Sequence, residues 1–412
     1  MLDQQTVTLM LSAVTEKNMV GLQYDISGIG GSTGNAIIEL LPEIASRASE
    51  TEQARQLPTD LALKLAMAGA YNLSKPAAIG GLELEPLDFL KIIETIAEAD
   101  ASAGWCAMIA VTSTLGAAYM DQTAAREIFG SRHVITGGVF APMGKAVDKG
   151  DHYLLSGQWQ WGSGSPNCDW LGGGAMIFKD GDLQKFDNGA PCHRMLFFPA
   201  DAVEFIDSWH VSGMKGTGSG DFKVQDLIVP KERSVSFVAD VPREKGPLYK
   251  FPLFGLLALG VSSVALGNAR AALEEIKTVA LNKKTPGGGR TMAQRPTVQV
   301  DLAKAEARLS SAFSYLESAV TQSWIEATGE NAISPKTRGN LRLACAHATE
   351  IAADTCKSAY TLGGGAAVYS GNSLQRRFRD AHVATQHIAT APAVFELAGR
   401  IMLDQPSDMS ML

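Results

Sequence analysis

The 412-residue chain reads as an α+β fold, mostly α: an N-terminal helical domain, a middle antiparallel β barrel or sandwich, and a C-terminal four-helix bundle. Three observations carry this reading. Helical periodicity runs from about residue 35 to 130 and returns from about 247 to 404. Between them, HVITGGVF, HYLLSGQWQWGSG, HRMLFFP and FKVQDLIVP are short β-rich runs separated by Gly, Pro, Asn and Asp. No helical stretch divides those strands, which argues against βαβ units. The expected boundaries are 34–130, 131–240 and 241–412, with residues 1–33 an unassigned extension ending in GIGGSTGN.

In chain order, AIIELLPEIASRASETEQARQLP suits one helix ending before Pro58. Pro58-Thr59-Asp60 starts another, striped by Leu61, Leu65 and Ala68. After the Pro/Gly connection KPAAIGGLELEPLDF, Leu87, Leu90, Ile93 and Ala97 mark a third, and EADASAGWCAMIAV a fourth. Beyond the strands come a long helix to Leu281, others near 296–328 and 335–362, and a closing helix. The loop NKKTPGGGRT (282–291) interrupts them. The closing run, LQRRFRDAHVATQHIATA (374–391), places Leu374, Phe378, Ala381, Thr385 and Ile388 on one side. Arg376 and Asp380, four apart, are positioned to pair. Asp380 and His387, seven apart, share a face if the helix persists, and His382 falls on another face with a structural role.

The composition, 46% hydrophobic and 19% charged, is that of a soluble globular protein. A net charge of −7 argues against a nucleic-acid partner. Cys106, Cys168, Cys192, Cys345 and Cys356 are odd in number and form no CxxC pair. They predict no disulfide framework, no metal site and a cytoplasmic location. No apolar run reaches the ~18–20 residues of a membrane span. Residues 253–267 come closest and read as a core helix, so no membrane partner is expected, and the N-terminus lacks the basic n-region expected of a signal peptide.

From roughly residue 40 to 404 the chain resembles the acyl-CoA dehydrogenases. The block R-x-x-R-D-A-x-V resembles their C-terminal region, whose tail reads Tyr-Glu-Gly-Thr with the Glu as base. Here the tail is His387-Ile388-Ala389-Thr390, and isoleucine cannot accept a proton. With a histidine beside the lost base, the pattern resembles the two-component (group D) flavin-dependent monooxygenases of this fold. That resemblance implies reduced FAD or FMN, FAD before FMN, carried in by a separate flavin reductase. It implies O2 adding at carbon 4a to give a hydroperoxyflavin, a small phenol- or indole-like substrate, and a homotetramer with flavin at its interfaces.

The same resemblance assigns residues. GQWQWGSG (157–164) sets Trp161 against the flavin ring and Ser163 at its nitrogen-5 edge, alongside nearby backbone amides. An aromatic face suits a flat ring system, and a hydroxyl that donates or accepts suits both redox states. Trp159 alternates onto the same side as Trp161 and reads as barrel core. FAPMGKA (140–146) offers backbone at Phe140, Ala141 and Gly144 to the flavin pyrimidine. The segment EADASAGW resembles the family's ADAS-x-x-W and implies a substrate pocket lined by Trp105, Ile109 and Thr112. Arg290 in the basic loop, and Gly364 and Gly365 in LGGGAAVYSG, would meet flavin across a subunit interface. WHVSGMKGTGSGDF (209–222) resembles W-x-x-x-G-M-R-G-T-G-S, a structural loop and not a dinucleotide fingerprint. His387, with Ser163, is the catalytic candidate. Acid–base help of its kind is worth ~10²–10⁴-fold. Alternatives are an acyl-CoA dehydrogenase with its base relocated to Glu274 or Glu275, an oxygenase of nitrogen or sulfur, and a flavin-less scaffold.

Overall fold

The computed structural model describes residues 24–284, 289–407, 409 and 412. Six helices come first: α1 (Thr33–Ser46), α2 (Ala48–Ala54), α3 (Thr59–Met67), α4 (Pro86–Ala99), α5 (Ala101–Ser113) and α6 (Gln122–Phe129). The single helix expected before Pro58 is broken at Arg47, which leaves helical geometry at φ −96° and ψ 4°. At this bend its guanidinium gathers Glu43, Glu50 and Asp60 at 3.1, 2.8 and 2.5 Å. Part of the extension left unassigned is core. Ile26 is fully buried, and Tyr24 packs on Phe313 and donates to Glu94 Oε2 at 3.3 Å.

One sheet follows: β1 (Thr136–Asp148), β2 (His152–Trp159), β3 (Trp170–Lys179), β4 (Asp182–Leu183), β5 (His193–Pro199), β6 (Glu204–Ile206), β7 (Asp221–Pro230) and β8 (Ser234–Val235). The order is β6-β7-β2-β1-β3-β5-β8, with β4 on β3. All pairs are antiparallel except β1 with β3. That exception departs from the all-antiparallel expectation. Residues 160–169 carry the chain from β2 across to the far side of β1, so β3 arrives running parallel to it.

The C-terminal part comprises α7 (Leu253–Asn282), α8 (Pro296–Thr328), α9 (Pro335–Gly363), α10 (Ser373–Ala384) and α11 (Ala393–Met402). Helix α7 packs on α4, α5 and α9, so one apolar core runs from the N-terminal helices into the bundle. The sheet keeps its own core around Trp159. Two segments, Ala101–Ala118 and Leu253–Asn282, are apolar and long enough to span a membrane, contrary to the sequence reading. Both are mostly buried inside the protein, as the innermost helices of that core.

Candidate active site

Three of the expected site residues meet at one indole. Asp100, extended at φ −154°, caps α5 by accepting from the Ala103 amide at 2.9 Å. Trp105 follows one turn after this cap. Trp105 Nε1 donates to Ser163 Oγ at 3.0 Å, and its ring meets that of His387 edge to face, with centroids 5.5 Å apart. Helical domain, sheet and bundle each contribute one member.

Ser163 lies on the 160–169 connection. Strand β2 ends at Trp159, which is fully buried, stacks on Phe222 and donates to Gly174 O at 2.8 Å. Trp161 does not continue the alternation. It takes φ +65° and is 63% exposed, on the opposite course from Trp159. The reason is a tight turn: the amides of Gly162, Ser163 and Gly164 donate to Gly220 O, Trp161 O and Thr217 O at 3.1, 2.9 and 2.8 Å. Those amides are therefore spent on the turn rather than open to a flavin. The hydroxyl of Ser163 pairs with that of Ser219 at 2.7 Å, and Ser219 pairs with Thr217 at 2.6 Å.

The glycine-rich loop and the R-D block hold each other. Met214, at φ +51°, donates its amide to Asp380 Oδ1 at 2.6 Å. A Cβ on Gly213 would fall 2.4 Å from the Arg379 carbonyl carbon, so only glycine allows this approach. Arg379 donates to Ser212 O and pairs with Glu52 at 2.5 Å. Burial pushes the Asp380 carboxyl up to about 7. The expected Arg376–Asp380 pair is not made: Asp380 turns inward beneath Met214, and Arg376 donates to Ser49 Oγ at 3.2 Å.

His387 is not helical. Helix α10 stops at Ala384, and His387 sits in a succession of tight turns, so it shares no helical face with Asp380. The turn is stabilised by Thr390 N donating to His387 O at 2.9 Å. Ala389 N donates to His387 Nδ1 at 3.2 Å, so the neutral ring carries its proton on Nε2. Burial first, and then the Arg342 guanidinium, push its pKa down to about 4. Arg342 is itself buried and donates to Ala389 O at 3.2 Å. Near pH 7, then, His387 is a neutral hydrogen-bond donor. Ile388, in the place of the family base, is 72% exposed. His382 Nδ1 donates to Phe378 O at 2.8 Å within its own helix.

The other expected contacts divide. From Val139 to Gly144, β1 takes five steps while β3 takes two from Gly173 to Ala175, so Phe140, Ala141, Pro142 and Met143 bulge out of the ladder. The Phe140 ring packs among Phe254, Phe237 and His193. Gly144 is buried, and a Cβ there would lie 2.6 Å from the Trp159 ring, so its role is to let that tryptophan in. Ile109 is half-buried, but Thr112 spends its hydroxyl on Met108 O and Ile109 O. A cleft of about 630 Å³ opens beside the bulge, walled by Tyr119, Phe237, Phe251 and Phe254 with Lys250 and Arg338.

Gly364, at φ +62°, and Gly365 stand exposed at the end of α9, next to exposed Val368 and Tyr369. Lys283 Nζ donates to Gly363 O at 3.2 Å and ties the basic loop to this turn, where Arg290 is exposed. Part of that loop, 285–288, lies outside the described residues. Along α9, Arg342 and Gly364 are roughly 33 Å apart at 1.5 Å per residue. Within one chain these residues do not join the Trp105 site. Glu274 is exposed and pairs with Lys277, while Glu275 accepts from Ser373 and faces Arg377, so both are held in polar contacts. Sequence reasoning passed over Thr217 and Ser219, hydroxyls inside a motif read as structural. It also passed over Arg342, which has the sequence signature of an ordinary helix-surface cation.

An indole left open on a left-handed turn is an arrangement that a flat ligand would repay. With Ser163 two residues on and the β1 bulge nearby, these residues fit a flavin. Residues 40–128 match the acyl-CoA dehydrogenase N-terminal domain, and 259–392 its C-terminal domain. The indole-3-acetate monooxygenase of Pseudomonas putida is 32% identical over 373 residues, 89% of this chain and 93% of that protein.

The chain is a flavin-dependent monooxygenase of the acyl-CoA dehydrogenase superfamily.

This monooxygenase is also 28% identical to HsaA, a flavin-dependent monooxygenase oxygenase subunit of Mycobacterium tuberculosis, over 87% of this chain and 91% of that one. The crystal structure of 3-HSA hydroxylase from Rhodococcus sp. RHA1 superposes with a TM-score of 0.85 at 25% identity, covering 95% of this chain and all of that one. The three-part architecture expected from the sequence is the architecture of this superfamily.

Proposed function

We propose that the enzyme hydroxylates a small aromatic substrate, phenol- or indole-like, using O2 and reduced flavin delivered by a separate reductase. FAD is the proposed flavin in preference to FMN. The observation that carries this reading is Trp105, whose one indole joins Ser163 to His387, the residue beside the Ile388 that replaces a dehydrogenase's carboxylate. Names of relatives support it: indole-3-acetate monooxygenase for the aromatic substrate, and an oxygenase subunit for the separate reductase.

When bound, reduced flavin supplies the electrons that activate O2. The chain's own residues do the rest. Trp161 and the backbone of the β1 bulge at Phe140 and Ala141 would hold the ring, with Ser163 at its nitrogen-5 edge, while Gly144, packed on Trp159, would not reach it. Neutral His387 would offer its Nε2 proton to an oxygen atom in the pocket, and buried Trp105 with Ile109 would keep water away. Arg290, Gly364 and Gly365 would serve a neighbouring copy's flavin in a homotetramer, which their distance from Trp105 favours. A cytoplasmic setting agrees with five free cysteines.

The test is ¹⁸O2 turnover with reduced FAD and a panel of phenols, indoles and arylacetates. One labelled oxygen atom appearing in an aromatic product is the expected result. Oxidation of every equivalent of reduced flavin with all of the consumed O2 recovered as hydrogen peroxide, and no labelled product across the panel, would sink the reading.

A further inference from the structure

A carbonyl oxygen only accepts hydrogen bonds, an indole N–H only donates, and a hydroxyl has one proton to give. A row of hydroxyls ending on a carbonyl therefore has a fixed direction. Such a row runs through the loop beneath the candidate site. Thr217 gives its proton to Met214 O at 2.7 Å, so at 2.6 Å it accepts from Ser219. Ser219, its proton used, accepts at 2.7 Å from Ser163. Ser163 accepts in turn from Trp105 Nε1 at 3.0 Å. Met214, Thr217, Ser219, Ser163 and Trp105 are all buried, so bulk water does not reorient them. Ser163 Oγ is left with one lone pair and no proton. The freedom to donate or accept that a lone serine has is gone.

We propose that this row makes Ser163 an acceptor only and so selects the reduced flavin over the oxidised one, with Ser219 as the positioning residue. It rests on the reading that places Ser163 at the nitrogen-5 edge. Reduced flavin carries a hydrogen on that nitrogen and matches the free lone pair. Oxidised flavin presents a lone pair of its own there, so the two face each other unsatisfied. An oxygenase that receives reduced flavin and must release the oxidised form needs this preference. The row builds it from side chains, since the Gly162, Ser163 and Gly164 amides are committed elsewhere.

The experiment is equilibrium binding of oxidised FAD, and of reduced FAD under anaerobic conditions, without substrate or turnover. Ser219→Ala releases the Ser163 proton to swing toward the flavin. Oxidised FAD then binds more tightly, and the preference for reduced over oxidised FAD falls roughly tenfold, the worth of one hydrogen bond regained against one left unmade. Thr217→Val, which keeps the side chain's volume, lets Ser219 turn its proton toward Ser163 and moves the ratio the same way by less. In a Ser163→Ala background, Ser219→Ala changes nothing further. A preference unchanged in both Ser219→Ala and Thr217→Val, or one that shifts equally without Ser163, overturns the proposal. Should Ser219→Ala fail to fold, Thr217→Val alone decides between these outcomes. If the wild-type protein binds neither redox form, the reading of the site falls and the proposal with it. Binding of both with an unmoved ratio removes the proposal alone.

Discussion

At the residue scale the site turns on how two side chains hold their protons. His387 receives a backbone N–H at Nδ1 and lies beside a buried guanidinium, and its pKa is pushed down to about 4. It is thus already neutral across the physiological range. The hydroxylation rate should show no histidine limb between pH 5 and 8. His387→Asn, which keeps a donor but not the ring, should lower product per O2 consumed by roughly tenfold or more while peroxide rises. Arg342→Met removes the charge that opposes protonation, so it should move the histidine limb upward, by the smaller part of the depression because burial, the larger cause, remains. A pH–rate series on the two variants checks both expectations, and a limb near 6.5 in the wild type would contradict the first. Trp105→Phe keeps the ring that meets His387 but deletes the bond to Ser163. Coupling of O2 use to product should fall more than KM for the substrate changes, read by measuring both.

At the scale of elements, the loop 209–222 and helix α10 act as one latch. Asp380 holds the Met214 amide, Arg379 holds Ser212 O, and Gly213 lets the two backbones touch. Gly213→Ala forces a methyl into the Arg379 peptide and should cost about 2–4 kcal/mol in denaturant unfolding. Asp380→Asn keeps an acceptor for the Met214 amide, and should cost less. Equal losses for both variants would show that the latch works through charge and not through close approach. The latch explains why two motifs far apart in sequence belong to one site. One carries the hydroxyl row beneath Ser163, and the other leads into the turn bearing His387.

For the whole molecule, the helical domain and bundle share a core that buries carboxyls as well as apolar groups. Burial pushes Glu94 up to about 8, and burial again pushes Glu98 up to about 7. A carboxyl whose pKa is higher folded than unfolded contributes stability at low pH, and that contribution is lost as pH rises from about 4.5 through the folded value. The melting temperature should therefore fall between pH 5 and pH 8. Glu94→Gln should flatten that fall, because the amide cannot ionise beneath Tyr24. An identical slope in the variant would show that Glu94 does not titrate in this window. The exposed turn at Gly364, Val368 and Tyr369, joined to the basic loop by Lys283, is the surface the tetramer proposal uses. Tyr369→Glu should lower the mass seen in sedimentation, and an unchanged mass would move the interface elsewhere.

Much of this architecture was readable in order along the chain, because periodicity and turn residues are local signals. Helices α7, α8 and α9 fall where the 3.6-residue pattern places them. The tail His387-Ile388 already showed that the dehydrogenase base was missing. Other features were decided only by packing between distant segments. Trp161 leaves the strand alternation because Gly220 and Thr217 bind the amides of its turn. Helix α10 ends early, and His387 finds Trp105 instead of the face of Asp380. Arg342 is buried and Ser163 has lost its free proton, through partners 47 and 56 residues away in the chain. A sequence states which groups can donate and accept. Which proton points where depends on the carbonyl at the end of the row, and only the folded chain brings that carbonyl into place.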